Sequence, residues 1–303
     1  MPRVAANGIE LEYEVLGTGE PMVLVMGLGA QLVQWPQGLV DEIVARGFQV
    51  IRFDNRDVGL STRLHDLPVP DVRAGFVRAL LGLPIRAPYT LLDMADDVAG
   101  LLDGLGLRDV HLVGASLGGM VAQTTAVVHS ARVRSLCSIM STTGSRRAFA
   151  RPRAIRALLG KPPKTREQAI ARQRAYLEVC GSTGFPIDWE LSADIAGRAW
   201  DRAGGAYPRG FARQLAAIFA TGDRSAALRL VRAPTVVIHG EVDPLIPVVG
   251  GRLTARAIPG AQLMVIPGMG HDLPRGVWTR IADAIADNAR RADQARRARA
   301  QAA

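Results

Sequence analysis

A run of apolar residues leads directly into a serine set among glycines: Val110-His111-Leu112-Val113-Gly114-Ala115-Ser116-Leu117-Gly118-Gly119. The first four residues predict a buried strand, and residues 120–128, which are rich in Ala, Val and Thr, predict the helix that follows it. The glycines leave room for a sharp turn at positions where a Cβ would clash. Such a turn exposes the hydroxyl of Ser116 at the positive end of the helix. A glycine-rich turn with an incidental serine would show the same residues, so the interpretation depends on partners elsewhere in the chain.

A candidate acidic partner follows a second apolar strand. Residues 235–240 form a largely apolar run after Pro234, and Glu241-Val242-Asp243-Pro244 comes next. An aspartate in a proline-containing turn, just past a buried strand, is well placed to contact a base. We therefore predict Asp243 as the acid, with Glu241 as the alternative.

A candidate base lies on a loop after a third predicted strand, residues 261–266. The loop reads Pro267-Gly268-Met269-Gly270-His271-Asp272, and its two glycines predict that His271 is exposed and flexible. Asp272 is too close in sequence to reach across the imidazole, so it is not the predicted acid. The other histidines fit the role of base less well, because they lie in strands or outside such a loop: His65, His111, His129 and His239.

Serine, histidine and aspartate together suit nucleophilic catalysis for three separate reasons. A serine hydroxyl attacks well only when a base removes its proton. Histidine suits that task because its ordinary pKa lies near neutrality. An aspartate fixes the tautomer of the imidazole and stabilises the imidazolium that forms. The chain order Ser116, Asp243, His271 therefore predicts a catalytic triad.

Two backbone N–H groups are candidates for an oxyanion hole. One belongs to Leu117, the residue after the serine. The other belongs to Leu28, in the loop Gly27-Leu28-Gly29-Ala30 after the predicted strand 22–26. Such donors typically stabilise a developing oxyanion by a few kcal/mol each. A plain strand-to-helix turn also needs these glycines, and the two interpretations are compatible.

With these motifs, residues 8–285 resemble the α/β-hydrolase fold family. The resemblance implies an α/β protein with a mostly parallel, eight-stranded-type sheet, helices on both faces and a helical cap. Two positions depart from the family pattern: Met26-Gly27 stands where many members have His-Gly, and Asp57 stands where glycine is usual in the segment 53–61. The first departure removes a side chain near the predicted oxyanion hole and keeps the backbone donor.

Three segments narrow the resemblance to the actinobacterial esterases called lipase/esterase G and, more distantly, to aclacinomycin methylesterase. These segments are residues 25–31, 53–57 and 268–272. The resemblance implies a serine carboxylic-ester hydrolase that acts on a small-molecule ester through an acyl-enzyme, with no metal and no organic cofactor. We expect a preference for short to medium acyl chains, because a cap should limit the length of the pocket.

The same three side chains also serve other reactions. A thioesterase, a lactonase, a C–C hydrolase, an acyltransferase or a cofactor-free haloperoxidase would use them, so these activities stay open. A non-catalytic ligand-binding member of the fold is an alternative from a different class. Dehalogenases and epoxide hydrolases of this fold use an aspartate nucleophile, and Ser116 argues against both.

The order of predicted strands and helices divides the chain into three parts. Residues 1–145 and 231–290 are predicted to form the α/β-hydrolase core, and residues 146–230, which are rich in Arg and Ala, a helical cap or lid. Residues 291–303 form a basic tail that we expect to fray from the end of a helix. Residues 73–83 predict a short helix that either rims the substrate entrance or touches an anionic lipid surface.

The composition fits a globular protein of the cytoplasm. Of the 303 residues 48% are hydrophobic, and no apolar stretch approaches the roughly 20 residues of a membrane span. The N-terminus lacks the apolar core of a signal peptide. Cys137 and Cys180 are too few for a disulfide framework. The net charge of +9 comes mainly from arginine, and no basic motif with interleaved aromatics predicts nucleic-acid binding, while contact with a membrane surface is the less favoured alternative.

Overall fold

In residues 2–302, which the computed structural model describes, eight strands form one sheet. They are β1 (Arg3–Ala6), β2 (Ile9–Leu16), β3 (Glu20–Val25), β4 (Phe48–Phe53), β5 (Val110–Ala115), β6 (Val133–Ile139), β7 (Thr235–Gly240) and β8 (Gln262–Ile266). Their order across the sheet is β1-β2-β4-β3-β5-β6-β7-β8. The pairs β1–β2 and β2–β4 are antiparallel and the others are parallel, which confirms the predicted fold class.

Ten α-helices accompany the sheet in the same described residues. They are α1 (Gln37–Val44), α2 (Val72–Leu81), α3 (Leu91–Gly104), α4 (Leu117–Val128), α5 (Pro152–Leu158), α6 (Arg166–Cys180), α7 (Trp189–Ala203), α8 (Pro208–Thr221), α9 (Val249–Ala257) and α10 (Trp278–Ala302). Helices α5 to α8 lie between β6 and β7 in the chain, in the stretch predicted to be helical.

Both faces of the sheet are covered by apolar side chains, because residues alternate between faces along each strand. In β3, Val23 and Val25 belong to a core cluster that includes residues of α3 and α4. Met22 and Leu24 belong to a second cluster that includes residues of α1 and α10. The central strands are therefore buried on both sides, and their carboxyl ends open toward the loops that carry the candidate site.

The stretch predicted as a basic tail continues helix α10, which runs without a break to Ala302. Ala292, near the start of this stretch, is 1% exposed. Arg296 Nη1 donates a hydrogen bond to Asp109 Oδ1 at 3.1 Å. These contacts fix the helix as far as Arg296, and Ala303, the end of the predicted tail, lies outside the described residues.

The described part of the chain can be characterised by its cysteines, its helices and its potential metal ligands. Cys137 and Cys180 are buried, free thiols. No helix there combines the length and the apolar character that a membrane crossing requires. No group of three or more His, Cys, Asp or Glu side chains within residues 2–302 is arranged to hold a metal ion.

Candidate active site

Ser116 lies at the turn between β5 and α4, in a conformation that few non-glycine residues adopt. Its φ is 55° and its ψ is −118°. Its N–H donates to the carbonyl of Ile139 at 2.9 Å, and its carbonyl accepts from Ser141 Oγ at 2.8 Å. Gly118 permits the turn, because a Cβ there would lie 1.9 Å from the carbonyl oxygen of Val25. The strained turn therefore holds Ser116 in the wall of a cavity at the carboxyl end of β5.

The three side chains predicted to act together lie within hydrogen-bonding distance. His271 Nε2 is 3.0 Å from Ser116 Oγ, and His271 Nδ1 is 2.6 Å from Asp243 Oδ2. Asp243 is 2% exposed and His271 is 7% exposed. With the proton on Nδ1, the imidazole donates to Asp243 and accepts from Ser116, which is the arrangement that a general base for serine requires.

Asp243 is fixed by the turn that follows β7. Its Oδ1 accepts the N–H groups of Leu245 and Ile246 at 2.8 and 2.9 Å, which leaves Oδ2 for the imidazole. Glu241, the alternative acid, is exposed to solvent. The structure thus brings Asp243 to His271 and leaves Glu241 at the surface.

The prediction that His271 lies on an exposed, flexible loop is wrong. The linker between α6 and α7 covers this loop and pairs with its backbone. The Cys180 carbonyl accepts the N–H of His271 at 2.7 Å, and the Gly184 N–H donates to the Gly268 carbonyl at 2.9 Å. A Cβ on Gly268 would lie 2.6 Å from the Cα of Gly184. The glycines of the loop therefore permit close approach of two backbones, and they do not leave the histidine free.

Ser182 of the same linker is a site residue that sequence reasoning missed. Its hydroxyl accepts the N–H of Gly270 at 3.0 Å and donates to Asp272 Oδ1 at 2.6 Å. Ser182 is 5% exposed. Burial raises the pKa of Asp272, while the hydrogen bonds from Ser182 and the nearby His271 act in the opposite direction. No sequence signal marks Ser182, because it precedes its partner Asp272 by 90 residues.

The two predicted oxyanion donors belong to two different elements, helix α4 and the loop after β3. Leu117 is the first residue of α4, so its N–H has no acceptor within that helix. Leu28 lines the cavity that also reaches Ser116. Gly27 lies against the serine, since a Cβ at this position would be 3.3 Å from Ser116 Cβ. These positions are compatible with two N–H groups that face a reacting carbonyl.

The loop that carries Leu28 is held from both sides. Asn55 Nδ2 donates to the carbonyl of Met26 at 3.0 Å. On the other side, the N–H of Gly29 donates to Gln214 Oε1 of α8 at 2.8 Å. The backbone around Leu28 is therefore fixed although no histidine side chain precedes Gly27.

The remaining four histidines are engaged elsewhere. Burial lowers the pKa of His111 and of His239 from the ordinary value of histidine. The contacts of the four rings are Tyr207 for His65, Ser135 for His111, Asp96 for His129 and the carbonyl of Ile246 for His239.

Two ion pairs, one fully and one partly buried, join the helices of residues 146–230 to the segment 53–61, and sequence reasoning missed both. Arg213 of α8 donates through Nε and Nη2 to the two carboxylate oxygens of Asp57, each at 2.8 Å, and both side chains are fully buried. Arg202 of α7 donates to Asp54 Oδ2 at 2.5 Å. Asp57 has a φ of 66°, which accounts for the glycine usual at this position. The aspartate that replaces glycine here supplies the partner of Arg213.

A cavity of about 1600 Å³ reaches Ser116 and His271. Its walls include side chains of α2 and of α5 to α8. The aromatic residues that line it include Phe76, Phe149, Trp200, Tyr207, Phe211 and Phe219. Ligand pockets commonly have volumes of roughly 300–1,000 Å³. The expected preference for short to medium acyl chains stays a prediction, and a cavity of this size also has room for longer chains.

Comparison with known proteins agrees with the observed fold. Residues 20–274 match the model of the family described as alpha/beta hydrolase fold. The chain belongs to this family. It is 27% identical over 298 residues to rhodomycin D methylesterase DnrP of Streptomyces peucetius, a match that covers 90% of this chain and 91% of that relative.

Two further members of the family extend the comparison. The chain is 28% identical over 287 residues to 2-hydroxymuconate semialdehyde hydrolase of a Pseudomonas species, which covers 93% of this chain and 88% of the relative. A meta-cleavage product hydrolase of Pseudomonas fluorescens has the same fold, with a TM-score of 0.70, 21% identity and 98% of each chain covered. The named relatives are hydrolases, and one of them is an esterase, which supports the predicted assignment to hydrolases of the esterase type.

Proposed function

We propose that this protein is a serine carboxylic-ester hydrolase whose catalytic residues are Ser116, His271 and Asp243. The observation that carries the proposal is the continuous hydrogen-bonded path from Ser116 Oγ through the imidazole to Asp243, in the wall of a large cavity. The methylesterase relative supports an ester as the substrate. The 2-hydroxymuconate semialdehyde hydrolase relative makes C–C bond hydrolysis the second candidate on the same three residues.

The proposed reaction has two halves. His271 Nε2 takes the proton of Ser116 as the serine oxygen attacks the ester carbonyl, and the N–H groups of Leu28 and Leu117 hold the oxyanion. The imidazolium then gives its proton to the leaving alcohol, which leaves an acyl-enzyme. Water attacks the acyl group with His271 again as the base, and Ser116 regains its proton. Asp243 keeps the Nδ1 proton in place and stabilises the imidazolium in both halves.

We assign the helices of residues 146–230 as the cap of this site and residues 1–145 with 231–290 as the catalytic core. Side chains of α5 to α8 line the cavity beside residues of the core loops. The two ion pairs Asp57–Arg213 and Asp54–Arg202 support a cap that is fixed to the core on the side of the segment 53–61. The cap would therefore shape the pocket, while the core supplies the reacting groups.

An active-site-directed fluorophosphonate tests the proposal directly. We expect the intact protein to be labelled, and the Ser116→Ala variant to lose both the labelling and roughly 10³-fold or more of the ester hydrolysis. Ser145→Ala is the matched control, since Ser145 lines the same cavity and should leave labelling unchanged. A wild-type protein that resists the probe would favour a non-catalytic ligand-binding role. Full esterase activity in Ser116→Ala would show that the site is assigned wrongly.

A further inference from the structure

Helix α2 presents apolar side chains both to the cavity and to solvent. Val72, Phe76 and Ala79 are spaced along one face and line the cavity. Val77, Leu80 and Leu81 are 53%, 46% and 66% exposed, and none of the three lines the cavity. No residue of α2 is buried, although the helix packs against α8. A surface helix ordinarily has polar side chains where it faces solvent, and the exposed apolar side chains of α2 depart from that pattern.

The three exposed side chains are neighbours on the helix surface. Leu80 and Leu81 follow Val77 by three and four residues, a spacing that places side chains next to one another on a helix. Single exposed apolar residues are common on protein surfaces, whereas a cluster marks a place where something binds. We call these three residues the α2 patch: Val77, Leu80 and Leu81.

Positive charge lies beside the α2 patch. Arg73 and Arg78 are exposed on the same helix, and Arg146 and Arg147 are exposed as well, while Arg73, Arg146 and Arg147 also line the cavity. Arg146 contacts the patch directly, because its Nη1 donates to the Leu80 carbonyl at 3.5 Å. The exposed acids of residues 62–90 are Asp66 and Asp71, and Asp71 Oδ1 is taken up as the N-cap of α2.

We propose that the α2 patch docks onto an anionic lipid surface. Leucine and valine side chains would enter the boundary between headgroups and acyl chains, while the arginines pair with lipid phosphates. The positive charge of the arginines disfavours a cationic partner. The apolar side chains add hydrophobic contact with the lipid to the long-range electrostatic attraction. Because other side chains of α2 line the cavity, docking would bring the cavity wall next to the bilayer. Docking goes beyond ester hydrolysis and does not require that Ser116 is catalytic.

Vesicle sedimentation with the full-length protein tests the docking. We expect the protein to sediment with vesicles of phosphatidylcholine and phosphatidylglycerol, and to stay in solution with phosphatidylcholine alone. The double substitution Leu80→Ser with Leu81→Ser should weaken binding to the anionic vesicles at least about tenfold. Leu230→Ser is the matched control, since Leu230 is also 66% exposed and lies between Arg229 and Arg232 in the sequence. It should bind like the wild type.

Four results would overturn the docking. The first two are a wild type that does not bind anionic vesicles at low salt and a double variant that binds as well as the wild type. The third is an equal loss of binding in Leu230→Ser, which would indicate that the vesicles attract any basic surface of the protein. The fourth is a lipid-free dimer in analytical ultracentrifugation that the double substitution abolishes, which would indicate that a second copy of the chain covers the patch. Hydrolysis of p-nitrophenyl acetate, which needs no vesicles, should be unchanged in both variants, and it tests the proposed catalysis separately from the binding.

Discussion

Ser182 connects the α6–α7 linker to the loop of His271 through one hydroxyl group. Ser182→Ala removes the hydrogen bonds with Gly270 and Asp272 and loosens the loop that orients the imidazole. We expect kcat for p-nitrophenyl butyrate to fall roughly tenfold with KM little changed, because a misplaced base affects the reaction step more than substrate binding. Steady-state kinetics measure both constants.

Thr183→Ala provides the matched control for this substitution. The Thr183 side chain is exposed, and its backbone N–H keeps its hydrogen bond to the Gly268 carbonyl. We expect its kcat to stay within about twofold of the wild type. If Ser182→Ala lowered the melting temperature and left kcat unchanged, Ser182 would have only a structural role.

Single residues of the site could be predicted where their position depends on local sequence. Ser116, Asp243 and His271 each follow an apolar run that becomes a parallel strand, and such strands end at the same edge of the sheet. The burial of His271 could not be predicted in this way. Its cover, residues 180–184, lies about 90 positions earlier, and glycines that permit close packing look like glycines that permit flexibility.

At the scale of elements, α8 is joined to the segment 53–61 by a buried charge pair. Arg213→Met would leave the carboxylate of Asp57 without its partner in a site closed to water. Breaking one side of a buried pair typically costs about 3–5 kcal/mol, because the remaining charge stays desolvated. We therefore expect the free energy of unfolding to fall by about this amount in urea denaturation.

Two further variants separate the buried pair from general loss of an arginine. Arg198→Met removes an exposed pair with Asp194 on α7, and its effect should stay below about 1 kcal/mol. Asp57→Gly combined with Arg213→Met should recover most of the lost stability, because glycine accepts the φ of 66° and no charge remains buried. An Arg213→Met variant as stable as Arg198→Met would contradict this role of the pair.

Elements differ in how far their sequence determines them. The strands of the core could be predicted because their apolar runs are long and bounded by turn residues. The end of α10 could not, since Ala292 and Arg296 stay helical through contacts with the rest of the fold. The same holds for the pair Asp57–Arg213, whose partners are 156 residues apart. The sequence shows that an aspartate at position 57 is unusual, and only the packed structure shows which side chain pairs with it.

At the scale of the whole molecule, the loops at the carboxyl ends of the strands and the helices of residues 146–230 together enclose the cavity. The loops bring Ser116 and His271 to it, and helices α2 and α5 to α8 supply much of its apolar wall. Side chains from many segments enclose the cavity. Its volume could therefore not be predicted from the sequence pattern of residues 146–230 alone. A helical cap is compatible with a narrow or a wide pocket, and the packing of its side chains decides between them.

The volume of the cavity predicts that large esters are accepted. We expect kcat/KM for p-nitrophenyl decanoate to equal or exceed that for the butyrate, since added methylenes can bury against the apolar wall, each for up to about 0.8 kcal/mol. Phe219, which lines the wall and stacks edge-on with Phe76, tests this assignment. Phe219→Ala should lower kcat/KM for the decanoate roughly tenfold and leave that for the acetate within about twofold. A wild type that prefers the butyrate over the decanoate by tenfold or more would show that the acyl chain does not enter the cavity, and it would support the preference for short to medium chains expected from the sequence.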